Sequence, residues 1–510
     1  MMPTGRLPSL LKQQIPSSSK AVALCHVARL SKARVSGLVV VQLRRASTSN
    51  TTEHKHTGPD GDTANVGHIL TIGQNSLPGQ SRTPYWRTVK IWQDITEEQF
   101  MNHRWQTANI VEHRAKLIKF LHSTLPAKIP PAISDDKVQP TWTREEFVND
   151  VEEGMKVAPM NVRLTPHILS VVDWADALND PIRRQFIPLK STIVPDHPKL
   201  TLDSLHEEED MPIKYSSSAS ETSTLGRGMK TDCGPATSVC PVYCRYCTRS
   251  YAVGGHTSTI KKNSIKPGRS RWEEMFKYIE QTPVIQDVVL SGGDSYYLQP
   301  EQLREIGERL LSIPNVKRLR VATKGLAVSP VRILDRSDGW TNTFLSLSNQ
   351  GRKLGKQVAI HTHFNHPNEI TWITELAAQY LFEQGVIVRN QTVLLRGVND
   401  NAATMSALIR KLAELNITPY YVYQSDMVKG IEDLRTPLYT INELEKQIRG
   451  TIAGFMMPSF IVDVPGGGGK RLANSFESYD RESGLSTWKA PGVSGDEIYE
   501  YYDPITTTIA

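Results

Sequence analysis

The sequence predicts an α/β protein: a full or partial (β/α) barrel behind an N-terminal helical region. Three observations carry this. From about residue 237, short apolar runs alternate with helical stretches. Repeated strand–helix units imply parallel strands joined by right-handed crossovers. The residues with distinctive chemistry, Gly292–Asp294, His361–His366, Asp426 and Gly466–Lys470, fall just after the expected strands, where such barrels keep their active loops. With 510 residues, 39% of them hydrophobic, the chain can build a sizeable core in one large or two ordinary domains.

The elements follow in chain order. Residues 1–52 hold eight Lys or Arg and no Asp or Glu. Such a basic, Ser-rich start reads as a mitochondrial presequence, the alternative being a plain basic tail. Without those eight charges the formal +6 becomes −2 for residues 53–510, which gives no compositional case for nucleic-acid binding. No apolar run reaches the roughly 18 residues of a membrane-spanning helix, so neither nucleic acid nor membrane is an expected partner. Residues 53–84 read as a polar linker. Residues 85–215 read as mainly helical: ITEEQFMNHRWQTANIVEHRAKLIKFLHSTL has amphipathic spacing, and Thr96 followed by Glu98 and Gln99 resembles a helix start.

In the barrel, 216–475, strands are expected at 287–292, 318–323, 357–364, 386–395, 419–424 and 459–465. Helices are expected at 270–281, 300–312, 369–384, 402–415 and 440–453. Residues 476–510, rich in Tyr and Asp, read as a tail or an arm for association into a homo-oligomer.

Three motifs carry chemistry. CPVYCRYC places Cys240, Cys244 and Cys247 at C-x3-C-x2-C spacing, with only Cys25 and Cys233 elsewhere. Three clustered thiolates can hold three irons of a [4Fe–4S] cluster and leave the fourth open. Zinc, with Cys233 as a fourth ligand, is the alternative. SGGDS, from Ser291 through Gly292, Gly293 and Asp294, lets the backbone approach a ligand and offers carbonyls to an ammonium. PGGGGK ends in Lys470, on a loop whose amides can surround an anion. A P-loop is excluded there, because Val464 and Arg471 stand where Gly and Ser or Thr are required. The remaining readings are a flexible loop or a lysine that forms a Schiff base with pyridoxal 5′-phosphate (PLP).

The cysteine motif resembles the radical S-adenosyl-L-methionine (SAM) superfamily. The chain over most of 85–475 is similar to the lysine 2,3-aminomutase family within it. Besides the motifs above, the resemblance rests on WQDITEEQFMNHRWQTAN, CRYCTR, HTHFNHPNEIT, NQTVLLRGVND, RTP and VDVPGGGGK, in the family's order. It implies a partial (β/α)6-type TIM barrel of the radical SAM kind. It also implies a [4Fe–4S] cluster on Cys240, Cys244 and Cys247, SAM held near Ser291–Asp294, His363 and Gln391, and PLP on Lys470. Arg249 would grip the substrate α-carboxylate, which suits a planar guanidinium. Asp426 and Asp463 would receive the distal ammonium of lysine, since a cation entering a dry site needs carboxylates. His361 and His366 are read as structural. An outside electron donor for the cluster is implied as a partner.

The stretch SSASETSTLGRGMKTDCGPATSVC departs from the family, where an apolar strand preceded by PLP-phosphate arginines is expected. It offers only Arg227 and Lys230, and Cys-Gly-Pro interrupts the strand. The sequence thus reads as an isomerase that converts L-lysine to β-lysine. An aminomutase for arginine or ornithine, or a non-catalytic Fe–S protein, are the alternatives. No structural zinc is expected in the C-terminal stretch, which lacks cysteines.

Overall fold

Alternating burial along the strands shows which way the barrel faces. In the computed structural model, residues 82–132, 140–205, 236–263 and 268–505 are described; residues 1–52, read above as a presequence, almost all of the stretch read as a linker, and Arg227, Lys230 and Cys233 lie outside them. All six strands read from the sequence are present: β1 (Asp287–Leu290), β2 (Arg318–Ala322), β3 (Gln357–Thr362), β4 (Ile387–Val393), β5 (Thr418–Tyr423) and β6 (Ser459–Val464). Val288, Leu290, Leu319, Val321, Val358, Ile360 and Val388 are buried. Because side chains alternate between faces, Asp287, Arg318, Arg320, Gln357, His361, Arg389 and Gln391 share the other, inner face. That face is polar and partly open.

The sheet runs in chain order from β1 to β6, every neighbouring pair parallel. A seventh strand, β7 (Gly469–Leu472), turns back antiparallel on β6. The result is a partial (β/α) barrel. Pro300–Ser312, Trp372–Glu383, Ala402–Glu414 and Leu438–Ile448 supply crossover helices close to the expected positions.

Four features differ from the sequence reading. The expected N-terminal amphipathic run is broken into Glu97–Phe100, His103–Ala108 and His113–Thr124, although Thr96 does form a reciprocal capping box with Gln99. The long connection from β2 to β3 contains an unanticipated helix, α1 (Trp340–Lys353), whose Trp340, Phe344, Leu347 and Gly351 are buried. Its Thr, Asn, Ser and Gly content gives little intrinsic helicity, so packing makes it helical.

The stretch expected to be a tail or association arm contains a three-stranded antiparallel sheet, β8 (Ser478–Tyr479), β9 (Leu485–Lys489) and β10 (Ile498–Tyr502). It packs on its own chain: Trp488, Tyr499 and Tyr501 join Phe460, Val462 and Leu438 in one apolar cluster. Last, residues 236–239, the described stretch that leads directly into Cys240, form no strand. Residues 236–239 instead run irregularly beside the end of β1: Ala236 N–H donates to the Ser291 carbonyl (3.0 Å), Gly293 N–H to Thr237 (2.5 Å) and Asp294 N–H to Val239 (3.1 Å).

Candidate active site

The cysteine loop is held from three sides. Arg163, in the N-terminal region, donates through Nε to the Cys240 carbonyl (3.0 Å) and through Nη2 to the Tyr297 hydroxyl (2.7 Å). Arg245 is buried, and its Nη2 meets both carboxylate oxygens of Asp433 at 2.9 and 3.0 Å. This pair ties the cysteine loop to the loop that follows β5. Breaking such a buried pair costs about 3–5 kcal/mol. Asn365 Nδ2 donates to the Tyr246 hydroxyl (2.8 Å), which lies 3.0 Å from His363 Nε2.

Burial pushes the Cys240 thiol well up, reinforced by the charges of Asp294, Cys247 and Cys244; burial pushes Cys244 up to about 12, against the pull of Lys324. A multiply charged cation beside the three thiols would draw them to thiolates. Among the described residues, no three His, Cys, Asp or Glu side chains converge on a single-ion site. Three thiols at C-x3-C-x2-C spacing fit three irons of a [4Fe–4S] cluster.

The SGGD turn lies directly against this loop. A Cβ on Gly293 would come within 2.5 Å of the Val239 carbonyl oxygen, so only glycine permits the contact. Arg249 Nη1 donates to Ser291 Oγ and lies 3.5 Å from the Gly292 carbonyl. Asp294 does not present its carboxylate outward. Oδ1 accepts from the Tyr296 N–H and Oδ2 from the Lys324 N–H, each at 2.8 Å. Its contribution to a ligand would come through the backbone. Lys324, buried, pairs through Nζ with fully buried Glu369 (2.8 Å) and donates to the His363 carbonyl (2.9 Å).

His363 has both ring nitrogens engaged. Nδ1 lies 2.6 Å from the Gln391 carbonyl, which only accepts, so the ring hydrogen sits on Nδ1 and Nε2 accepts from Tyr246. Burial, with the charge of Lys324, holds its pKa down at about 3. The Gln391 side-chain amide approaches His361 Nδ1 at 3.4 Å.

The far edge of the sheet carries the second group. Asp463 on β6 and Lys470 on β7 are register partners, with Nζ 2.6 Å from Oδ2. Gly466, Gly467 and Gly469 all have positive φ, and this lets the chain reverse in so few residues. Lys470 Nζ also stands 5.8 Å from the Tyr423 ring centre. Burial acts to lower the Lys470 pKa, but Asp463, Tyr423 and Asp426 outweigh it, so the ammonium form is favoured. Asp426, Asp463 and Lys470 are thus brought together. They lie at the β6–β7 edge, and Arg249 with the SGGD turn lies at the β1 edge. An amine on the inner face, beside a glycine loop rich in amides, fits an aldehyde cofactor.

Every sequence-derived site residue lies on the inner face or on the loops at its rim. Sequence reasoning missed Lys324, Tyr246, Asn365, Arg163 and Tyr423. Tyr423 had a signal in the alternation of PYYVYQ. The others act across long sequence separations that no local pattern marks.

No protein-family model matches the chain. It is 33% identical to L-lysine 2,3-aminomutase of Clostridium subterminale over 386 residues, 75% of this chain and 80% of that protein. The Bacillus subtilis protein of the same name is 30% identical over 390 residues, 76% and 71% of the two chains. Glutamate 2,3-aminomutase of Clostridioides difficile is 30% identical over 381 residues, 74% and 77%. Among solved structures, Streptococcus suis SuiB bound to S-adenosylmethionine overlaps with a TM-score of 0.31 at 12% identity, covering 45% of this chain and 49% of that one.

The partial barrel, the three-cysteine loop and these relatives define an isomerase, an aminomutase of the radical SAM type. Within that class, the chain belongs to the lysine 2,3-aminomutase family.

Proposed function

We propose that the protein converts L-lysine to β-lysine with a [4Fe–4S] cluster, SAM and PLP. Relatives named for lysine and for glutamate lie at nearly the same identity, so identity alone does not choose between them. One observation supports lysine: Asp463 binds a primary ammonium, that of Lys470 at 2.6 Å, with Asp426 close enough to add its charge. A substrate ammonium entering here meets the same two carboxylates, whereas a distal carboxylate would be repelled.

Cys240, Cys244 and Cys247 would hold the cluster, the Ser291–Asp294 turn would seat SAM, and Lys470 would bind PLP. The cluster with SAM supplies one-electron hydrogen abstraction, and PLP supplies a π-system that carries the migrating nitrogen. The protein's own part is positional. Arg249 takes the α-carboxylate, Asp426 and Asp463 take the distal ammonium, and the loop clamp through Arg245–Asp433 keeps both ends at fixed separation.

The test is anaerobic turnover of cluster-loaded protein with SAM, PLP, reductant and lysine, read by mass spectrometry for β-lysine. SAM cleavage without β-lysine would assign the enzyme to another amino acid, arginine or ornithine first. A loaded cluster that never cleaves SAM would refute the enzymatic reading. The acid-free segment 1–52 supports mitochondrial delivery as part of the proposal; a fluorescent fusion of these residues that stays diffuse in cells would refute that part.

A further inference from the structure

Lys262 is a buried cation that the function above does not use. It is 6% exposed, and its Nζ donates to the Ser250 carbonyl, to the Pro159 carbonyl (2.6 Å) and towards Met160 Sδ (3.4 Å). Burial lowers its pKa to about 8, still above neutrality, so the amine keeps its proton. An ammonium has three N–H donors, and here each one has an acceptor. A charge is costly to bury, and the bonds this one makes are of the strong, charge-assisted kind.

The acceptors belong to two separate segments. Pro159 and Met160 follow the helix Arg144–Val157 of the N-terminal region. Ser250 lies in the turn that leaves the cysteine loop, one residue after Arg249. That turn is tightly wound. Ser250 N–H donates to the Cys247 carbonyl (3.1 Å), and the N–H groups of Ala252 and Val253 both donate to the Arg249 carbonyl (3.0 and 2.9 Å). Ser250, Tyr251, Ala252 and Val253 are buried. The segment that carries Lys262 is itself seated on the N-terminal region. Asn161 Nδ2 donates to the Gly255 carbonyl (3.0 Å) and Thr259 Oγ1 to the Ala158 carbonyl (3.2 Å). Asn263 N–H donates to the Tyr251 carbonyl (2.7 Å), which joins this segment to the turn a second time. The side chain of Arg249 is held by the SGGD turn, at Ser291 Oγ and the Gly292 carbonyl. Its main chain is held, through Ser250, by Lys262.

We propose that Lys262 is a positioning residue for Arg249: it fixes the turn at Ser250 so that the guanidinium meets the α-carboxylate of an amino-acid substrate. This rests on the reading of Arg249 as the carboxylate-binding group. A guanidinium grips a carboxylate through two directed bonds, so a turn released at Ser250 loses that grip. The opposite end of the substrate, at Asp426 and Asp463, does not depend on this turn.

The test compares L-lysine with cadaverine, which keeps both amines and lacks the carboxylate. Binding of each is measured by anaerobic equilibrium dialysis on full-length, cluster-loaded protein with PLP and without SAM, so that nothing turns over. Wild type should bind lysine at least about tenfold more tightly than cadaverine. In Lys262→Met that advantage should shrink by about tenfold, with the cadaverine affinity in place. Arg249→Met should shrink it at least as far, and adding Lys262→Met to it should weaken lysine no further, because both act on one contact. Lys262→Arg keeps the cation and its donors and should restore most of the loss. Losses that add in full would show Lys262 acting apart from Arg249, and an unmoved lysine advantage in Lys262→Met would show that the turn holds itself; either result overturns the proposal. Equal weakening of both ligands, loss of the cluster, or no rescue by arginine would reveal general support of the fold and overturn it too. A wild type that binds both ligands alike, or an Arg249→Met that keeps the advantage, would overturn the reading of Arg249 itself, and the role of Lys262 with it.

Discussion

At the scale of single residues, Asp463 has two ammonium groups to choose between. It holds that of Lys470 at 2.6 Å in the free protein, and in the proposed reaction it must exchange this for the substrate's. Only a neutral amine attacks an aldehyde, and Asp463 keeps Lys470 protonated to higher pH. Capture of PLP should therefore rise with pH, and Asp463→Asn should move that rise to lower pH by about one unit or more. The same variant should raise the lysine concentration needed for half-maximal turnover about tenfold or more. Borohydride-fixed PLP measured across pH, beside lysine saturation, checks both; an unmoved pH profile would refute the exchange. Lys324→Met should destabilise the fold by about 3–5 kcal/mol, because fully buried Glu369 would lose its counter-charge. Adding Glu369→Gln should recover much of this in urea melts. The sequence pointed to the cysteines, Asp463 and Lys470 because each lies in a short, distinctive string, and to Asp426 through the family resemblance. It could not disclose Lys324 or Tyr246, whose roles come from contacts such as Tyr246 to His363, 117 residues apart.

At the scale of elements, all six parallel strands could be read from apolar runs because the outer face must pack against helices. What was hidden depended on tertiary context. Helix α1 forms from weak helix formers because Trp340 and Phe344 are buried, with their rings stacked 5.7 Å apart. The C-terminal sheet was hidden because its strands are short and its burial depends on a partner surface on α/β elements laid down earlier in the chain. That sheet reaches the site. The Tyr501 hydroxyl donates to the Ser425 carbonyl (2.9 Å) and accepts from Gln424 Nε2 (3.1 Å), next to Asp426. Arg435 pairs with Glu432 at 2.8 Å, and Leu438 N–H donates to Asp503 at 2.8 Å. Tyr501→Phe should therefore loosen the loop that carries Asp426. The expected result is a several-fold higher lysine requirement, with PLP capture at Lys470 little changed. Equal loss of both would show that the hydroxyl only supports global stability, which parallel thermal melts would detect.

At the scale of the whole molecule, buried histidines set the acid limit. His167 and His363 are held near about 3 and His361 near about 4, in each case chiefly by burial, against an ordinary 6.5. The folded protein keeps them neutral, and the unfolded chain takes up protons once the pH drops below that ordinary value. Their contribution is therefore complete above 6.5 and is lost as pH falls toward the folded values. Each steepens the loss by about 1.4 kcal/mol per pH unit. Buried Asp180, Asp294 and Asp503 are pushed up, chiefly by burial, and act in the opposite direction at lower pH. The window just below about 6.5 is where the histidines begin to act. Melting temperature should fall steadily across it, and a flat profile would refute neutral burial. The tie between Tyr501 and Ser425 has a consequence in time as well. The loop bearing Asp426 receives its clasp from residues made about 75 positions later, at the pace of synthesis. A chain still on the ribosome can hold its cysteines, Asp463 and Lys470 and yet lack the clasp on the loop of Asp426. In the proposed reaction, one of the two carboxylates offered to the substrate ammonium is thus fixed only once β10 has been made.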